Sequence, residues 1–142
     1  MRYSLVAFTL GLAGAALLFS PRFAQAQIFP SAPSWKSTDN QRVGGMAFGD
    51  ANGDGLLDLA AGTYSGGYPE LTKNALVFLQ GASGLEGTPS WVSDDIRHST
   101  SVGWVWATGA DQPDLLVVNG GASSQSTVIY PGGASGLATT AS

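Results

Sequence analysis

Apolar residues in this chain fall in short runs separated by clusters of Gly, Pro, Asn and Asp. Outside the amino-terminal 26 residues, no segment sustains the apolar period of 3.6 that is typical of a helix. Short apolar runs bounded by turn-forming residues are typical of β-strands. The pattern predicts four strands in a first group and three in a second, over residues 44–48, 56–62, 76–80 and 90–93, and then 102–107, 115–119 and 128–130.

The two groups of strands repeat one sequence pattern. In each, an apolar strand leads into the same turn, GASGL, at residues 81–85 and again 52 positions later at residues 133–137. Fixed-period similarity within a chain is the signature of a repeat protein, so each group is interpreted as one structural unit. Three further pairs occur in the same order: Trp35 with Trp91 and Asp58 with Asp114, each 56 positions apart, and Val43-Gly44 with Val102-Gly103.

A repeated unit of four strands predicts the fold class. A lone four-stranded sheet leaves both faces uncovered and has to stack on neighbouring sheets, as the blades of a β-propeller do. We expect an all-β, partial β-propeller with about two four-stranded antiparallel blades, the second incomplete and without its fourth strand. Residues 27–42 are predicted to be a lead-in or outer strand, residues 43–94 the first repeat and residues 95–142 the second. The sequence stops where the next Trp would fall, so we expect an amino-terminal fragment of a longer protein or a truncated reading frame.

The amino terminus has the three parts of a secretory signal peptide. Arg2 gives a positive start, residues 5–19 are apolar, and residues 24–26 read AQA, a small-x-small cleavage site. A membrane anchor is the alternative, but the apolar run is shorter than the roughly 20 residues that span a bilayer. We expect a helical signal peptide over residues 1–26, cleavage before Gln27, and a secreted protein in an extracellular, periplasmic or cell-surface location.

Composition narrows the possible partners. Without residues 1–26, four basic side chains remain against ten acidic ones, a formal charge of −6. Nucleic acid and anionic membrane surfaces are therefore not expected as partners, and no membrane span is expected after cleavage. The chain has no cysteine, so stability has to come from core packing or a bound metal rather than from disulfides.

One stretch carries candidate chemistry: residues 50–58, which read DANGDGLLD between the first two predicted strands. Side-chain oxygens at its positions 1, 3, 5 and 9 and the main-chain carbonyl at position 7 can converge on one centre, and Ca²⁺ prefers such an all-oxygen cage. Gly55, at position 6, can adopt the positive φ that this turn needs. The predicted Ca²⁺ ligands are Asp50, Asn52, Asp54, Leu56 through its carbonyl, and Asp58.

The sequence MAFGDANGDGLLDLAAG at residues 46–62, followed by LVFLQGASGL at residues 76–85, resembles the FG-GAP (or VCBS) repeats of integrin α-chain propellers and secreted bacterial proteins. The resemblance covers about residues 35–142. It implies a propeller whose acidic loop binds Ca²⁺ and a module that binds an extracellular protein or glycan, as in cell adhesion. In the second repeat the equivalent loop is placed at residues 109–114, about three residues shorter, where only Asp111 and Asp114 remain, and no metal is expected.

The acidic loop has two other interpretations. An EF-hand needs a bidentate Glu at position 12, where this chain has Ala61, and helical flanks, so the EF-hand is excluded. An ion-free turn remains open, because Asp, Asn and Gly also build ordinary hairpin connections.

Neither catalysis nor sugar stacking finds support in the sequence. His98 is the only histidine, which excludes a multi-histidine zinc site, and neighbouring Ser and Thr residues do not by themselves make a catalytic triad. Trp35 and Trp91, at equivalent repeat positions, are expected to pack as core aromatics. Trp104 and Trp106 alternate along one strand, so both are expected on a face that the absence of a neighbouring sheet would leave exposed.

These observations lead to one main hypothesis, a secreted, Ca²⁺-stabilised and non-catalytic FG-GAP module for protein or glycan binding. The alternative is the non-catalytic propeller part of a larger secreted hydrolase or lyase, and a third possibility is a short chain that completes a ring by self-association. In each case further blades or further copies have to cover the open sheet faces.

Overall fold

Short antiparallel strands build the described part of the chain, which in the computed structural model comprises residues 32–64, 73–120 and 125–142. The strands are β1 (Val43–Gly49), β2 (Asp58–Thr63), β3 (Ala75–Phe78), β4 (Gln80–Gly81), β5 (Gly84–Leu85), β6 (Trp91–Val92), β7 (Ser99–Val105), β8 (Asp114–Asn119) and β9 (Val128–Tyr130). The first sheet has the order β1-β2-β3-β6 and the second the order β7-β8-β9, while β4 and β5 form a small hairpin.

The all-β prediction is confirmed for these residues, which contain no helix. Each of the seven strands predicted over residues 44–130 corresponds to an observed one, with ends that differ by at most three residues, whereas the described part of the predicted lead-in or outer strand, residues 32–42, forms no strand. The β4-β5 hairpin, which closes the first GASGL turn, is a feature that the apolar pattern does not predict. The predicted signal peptide, residues 1–26, lies outside the described residues, as do residues 27–31 of the predicted lead-in. No helix of the described residues is long and apolar enough to cross a membrane.

Alternation along the strands gives the first sheet two apolar faces. On one face Ala60, Ala75 and Val77 pack against the second sheet, whose contribution includes Leu115 and Tyr130, and all five side chains are buried. The opposite face carries a second cluster, formed by Leu59, Ala61, Leu76 and Phe78 together with Trp35, Leu85 and Val92. Both faces of this sheet are therefore suited to packing, and every residue of β2 is buried.

Glycines on β1 and β2 allow β7 to approach the first sheet closely. A Cβ placed on Gly45 would lie 2.7 Å from the Cα of Ser101, and one placed on Gly62 would lie 2.7 Å from both the Cβ of Ser99 and the Cγ1 of Val102. Contacts that short do not occur between real side chains and backbone, so these positions need glycine because of packing rather than turn geometry.

The strand registers relate the two sheets by constant sequence offsets. Gly49 pairs with Asp58 in the first sheet and Val105 pairs with Asp114 in the second, so positions 56 apart are equivalent in the first two strands of each sheet. The third strands are related by 52 positions, because Leu59 pairs with Phe78 as Leu115 pairs with Tyr130.

One predicted correspondence is wrong as a result. Val102-Gly103 does not match Val43-Gly44, since the register makes Met46 the equivalent of Val102 and Ser99 the equivalent of Val43. A Val-Gly pair is too common in a chain with 20 glycines to fix an alignment, whereas backbone pairing fixes it at every position of the strand.

A buried polar network joins the two sheets. The side-chain amide of Asn74 donates to the hydroxyl of Tyr130 at 2.8 Å, and the Ser99 hydroxyl donates to the Asn74 main-chain carbonyl at 2.7 Å. The Tyr130 hydroxyl in turn donates to Asp95 Oδ2 at 2.9 Å. Asn74 and Tyr130 are fully buried, and each satisfies the other's polar group, so the network fixes β3 against β9 at little desolvation cost.

Beyond β9, the chain begins to follow the edge of the second sheet. The Ser142 N–H donates to the Ile129 carbonyl at 2.9 Å, in the same way that the Ser90 N–H donates to the Val77 carbonyl at 2.9 Å just before β6. These pairs are related by the same 52 positions as the third strands. Among the described residues the second sheet has three strands.

Candidate metal centre

The acidic loop connects β1 to β2, as predicted. It covers residues 50–57, and it is closed by the pairing of Gly49 with Asp58. Gly53 and Gly55 adopt φ of 77° and 85°, which is the left-handed region that a residue with a Cβ rarely enters. The two glycines therefore reverse the chain within one short turn.

Asp50 organises the turn through main-chain hydrogen bonds. Its Oδ1 accepts from the N–H groups of Gly53 at 2.7 Å and Asp54 at 3.0 Å, and its Oδ2 accepts from Gly55 at 2.9 Å. Three donors around one carboxylate hold successive residues of the loop in a curve. Asp50 thus acts as the centre of the turn even before any ion is considered.

Asn52 and Asp54 lie together on the exposed side of the loop. The Asn52 side-chain amide donates to Asp54 Oδ2 at 3.0 Å, while Asn52 Oδ1 accepts from the Asp54 main-chain N–H at 3.1 Å. The N–H of Leu56 donates to Asp54 Oδ1 at 2.8 Å. Three of the predicted ligand side chains are therefore brought into one hydrogen-bonded turn.

Asp58 has a different environment from the other predicted ligands. It is fully buried, its Oδ2 accepts from the Ala51 N–H at 2.8 Å, and its Oδ1 accepts from the Gln80 N–H at 2.8 Å. The carboxylate thereby ties the start of the loop and the first residue of β4 to the first residue of β2. Sequence reasoning treats Asp58 as a ligand alone and misses this anchoring role.

The donor set fits a hard cation in chemistry, since every predicted ligand atom is oxygen. In this structure, however, the carboxylates of Asp50 and Asp54 accept hydrogen bonds from N–H groups of their own loop. In the described part of the chain, no three carboxylate or imidazole side chains converge as a metal-binding group. The geometry is therefore compatible with two interpretations. One is a turn without an ion, and the other is a loop whose side-chain oxygens reorient when an ion binds.

The second sheet has an equivalent loop, and its predicted position is wrong. The connection from β7 to β8 covers residues 106–113, and at eight residues it is as long as the loop 50–57 rather than three residues shorter. Gly109 adopts φ of 76°, as Gly53 does 56 positions earlier. The equivalents of Asp50 and Asp54 are Trp106 and Ala110, and Asp111, which takes the place of Gly55, does not adopt a positive φ. This loop therefore keeps the length of the first loop and one of its two left-handed glycines, but neither of those two acids.

Asp114 keeps the anchoring role of Asp58. Its Oδ2 accepts from the Ala107 and Thr108 N–H groups at 2.7 Å each, and its Oδ1 accepts from the Thr108 hydroxyl at 2.7 Å and the Gly132 N–H at 2.8 Å. Burial by itself would raise the pKa of Asp114, but these hydrogen bonds outweigh burial and lower the pKa to about 2. Asp114 is therefore a charged, fully satisfied group inside the fold.

A cavity lies beside the acidic loop, between the two sheets. It has a volume of about 370 Å³, and its lining includes Asn52 from the first loop, Gln112 from the second, and Trp91 from β6. No charged side chain lines it. The two loops also meet directly, since a Cβ on Gly53 would lie 2.5 Å from Gln112 Nε2.

The aromatic predictions are confirmed in part. Trp91 meets Tyr130 edge to face at 5.2 Å, and Trp35 meets Phe78 in the same way at 5.4 Å, so both tryptophans pack as expected. Trp104 is half-buried against Gly49 of the first sheet, so the neighbouring sheet whose absence would expose this face is present at Trp104. Trp106 lies past the end of β7 and is 69% exposed.

The remaining candidate for chemistry, His98, packs edge-on against Tyr64, with ring centroids 5.7 Å apart. Its main-chain N–H donates to Gln125 Oε1 at 2.8 Å. These contacts describe a residue that orders a connection between sheets.

Comparison with known proteins gives no identification: no family model matches the chain, and no curated protein is significantly similar to it. The resemblance to FG-GAP repeats consequently rests on the residues of the acidic loop and of the GASGL turns.

Proposed function

We propose that this chain is a secreted, non-catalytic binding module of the FG-GAP type, whose two sheets are propeller blades and whose acidic loop binds Ca²⁺. The observation that supports it best is the pair of stacked sheets related by fixed sequence offsets, with the loop of residues 50–57 at the β1-β2 connection. In this proposal the ion has a structural role, and recognition belongs to the surface that the loops build.

The ion would be held by side-chain oxygens of Asp50, Asn52 and Asp54 and by the Leu56 carbonyl. Asp58 forms the buried side of the site. Each of its oxygens accepts one N–H bond, and a carboxylate oxygen has two lone pairs, so anchoring and ligation are compatible. When bound, Ca²⁺ would supply the positive charge that lets Asp50, Asp54 and Asp58 share one small loop.

The ligand of the module would be an extracellular protein or a glycan. The cavity of about 370 Å³ beside the loop supports the recognition of neutral, hydrogen-bonding groups, because amide side chains and the Trp91 ring line it without any charged residue. Asn52 belongs to both the cavity and the proposed ion site. Ordering of the loop by Ca²⁺ would therefore also order one wall of the cavity.

A thermal unfolding experiment tests the ion-binding part of the proposal. With the affinity typical of extracellular modules, about 10⁻⁴ to 10⁻³ M, free Ca²⁺ at ten times the dissociation constant stabilises the fold by about 1.4 kcal/mol. For a domain of this size we expect the Tm to rise by on the order of 5 °C. An unchanged melting curve in millimolar Ca²⁺ and in chelator would refute it.

A matched pair of variants makes the result specific to the loop. Asp54→Asn should abolish the rise in Tm with Ca²⁺ and leave the Tm in chelator nearly unchanged, because Asp54 is exposed. Asp111→Asn changes an exposed acid in the equivalent metal-free loop, and it should keep the full Ca²⁺ response. A loss of the response in both variants would point to nonspecific screening of charge instead.

A further inference from the structure

The face of the first sheet that points away from the second sheet resembles a surface of the second sheet that is buried in the contact between the two sheets. By the strand registers, Met46 and Phe48 are the equivalents of Val102 and Trp104. Val102 is 8% exposed and Trp104 is half-buried against the first sheet, whereas Met46 and Phe48 are 65% and 60% exposed. β1 therefore presents an apolar ridge whose counterpart on β7 packs against a sheet.

The surface that could receive this ridge is also repeated within the chain. In the first sheet, β7 packs against the β1 face formed by Gly45, Ala47 and Gly49. The equivalent positions on β7 are Ser101, Gly103 and Val105, and they point away from the first sheet. A Cβ on Gly103 would meet nothing within 4 Å, so this face is open. On the neighbouring strand Val118 is 37% exposed and Leu116 is half-buried on the same face.

We propose that a second copy of this chain seats its outer β7-β8 face on the exposed β1 ridge, so that copies associate head to tail through the contact that the two sheets make within one chain. Phe48 of one copy would lie over Val105 of the next, as Trp104 lies over Gly49 within the chain. Phe48 is smaller than Trp104 and Val105 is larger than Gly49. The two differences in volume offset each other, so the spacing between the sheets is preserved.

Charge and symmetry both fit this arrangement. Apart from the buried Asp114, strands β7, β8 and β9 contain no Asp, Glu, Lys or Arg, so their outer face can be covered without desolvating a charge. The two surfaces differ, which makes the contact heterologous, and repeated heterologous contacts produce closed rings or open chains of copies. The inference goes beyond the proposed function and does not depend on Ca²⁺.

Light scattering on the protein produced from the full sequence, residues 1–142, tests the association. We expect concentration-dependent oligomers. Phe48→Glu should raise the dissociation constant by at least about tenfold, because the contact would bury an unpaired charge. Ile96→Glu is the matched control, since Ile96 is an apolar residue of similar exposure, 66%, outside both faces, and this variant should associate normally. A monomer at all concentrations, or equal loss in both variants, overturns the proposal.

Cysteine cross-linking then distinguishes head-to-tail association from a face-to-face dimer. The chain has no cysteine, so introduced thiols report only their own proximity. Mixed Phe48→Cys and Val105→Cys chains should form a disulfide between positions 48 and 105, since a bond requires Cα atoms within about 7 Å. Phe48→Cys alone should not cross-link. A disulfide only between two copies of position 48 overturns the head-to-tail arrangement.

Discussion

Asp58 and Asp114 occupy the same place in the two sheets and make the same two main-chain contacts. Each accepts the N–H of the residue seven positions earlier, Ala51 at 2.8 Å or Ala107 at 2.7 Å. Each also accepts an N–H from the residue two positions beyond the third strand, Gln80 after β3 or Gly132 after β9, at 2.8 Å in both cases. The shared contacts are kept in a loop where Trp106 and Ala110 replace the acids of Asp50 and Asp54, so they belong to the fold and not to an ion.

This equivalence predicts that Asp58→Asn and Asp114→Asn destabilise the fold to a similar degree even in chelator. An Asn side chain replaces one acceptor oxygen by an NH₂ group, which faces a main-chain N–H and leaves it unpaired. We expect each variant to lose about 2 to 3 kcal/mol of the free energy of unfolding, measured by urea titration. Asp54→Asn, at an exposed position, is the control and should change it by less than about 0.5 kcal/mol. Two buried variants as stable as this control would contradict the anchoring role.

Asp114 also predicts a loss of stability in acid. Its pKa is lowered from 3.8 to about 2 in the folded chain, so its contribution is complete above pH 4 and is lost as the pH falls toward 2. Urea titrations at intervals between pH 5 and pH 2 should show a decline that is steeper in the wild-type chain than in Asp114→Asn. Parallel declines would show that other carboxylates carry the acid sensitivity.

The anchoring role shows where sequence reasoning reaches its limit. The strands were predictable because alternation and turn-forming residues are local signals. The partners of Asp58 are main-chain N–H groups, one of them 22 positions away, and they leave no trace in the pattern of side chains. A signal was nevertheless present, since the Asp recurs at position 114 where the acids of Asp50 and Asp54 are replaced by Trp106 and Ala110.

The second loop illustrates a related difficulty. Using Asp111 as a marker of the repeat shortens the predicted loop, whereas the pairing of Val105 with Asp114 gives it the full eight residues. The position of an acidic residue in a surface loop can change without affecting the strands. A shift of the strand register by one residue would instead move every side chain of the strand to the other face. The backbone pairing therefore relates the two sheets more faithfully than the acidic residues of their loops do.

The raised pKa of Tyr130 predicts a loss of stability at high pH. Burial raises its pKa, and although Asn74 and Ser93 lower it through hydrogen bonds, contact with Asp95 raises it further, to about 12. The neutral phenol is thus favoured by folding, and the stability that it contributes is complete below pH 10 and is lost as the pH rises toward 12. The difference in tyrosinate absorbance between the wild-type chain and Tyr130→Phe should report an ionisation near pH 12.

The same variant measures the strength of the network between the sheets. Tyr130→Phe keeps the ring against Trp91 but leaves the Asn74 amide and Asp95 without the hydroxyl, so we expect a loss of about 1 to 2 kcal/mol. Tyr64→Phe, at a position 38% exposed, is the control for removing a tyrosine hydroxyl and should be nearly neutral. An ionisation of Tyr130 near pH 10 would show that the hydroxyl is not enclosed.

The packing of β7 on the first sheet predicts a steep cost for a single methyl group. In Gly45→Ala the new Cβ would lie 2.7 Å from the Cα of Ser101, which is backbone and cannot rotate away, so the two sheets have to move apart. We expect a loss of about 1 to 3 kcal/mol, seen as a lower urea midpoint. Gly81→Ala is the matched control, because a Cβ there meets nothing within 4 Å and the φ of Gly81 is not positive. If Gly45→Ala were as stable as Gly81→Ala, then β7 would not lie directly on β1, and the head-to-tail contact inferred from that packing would lose its template.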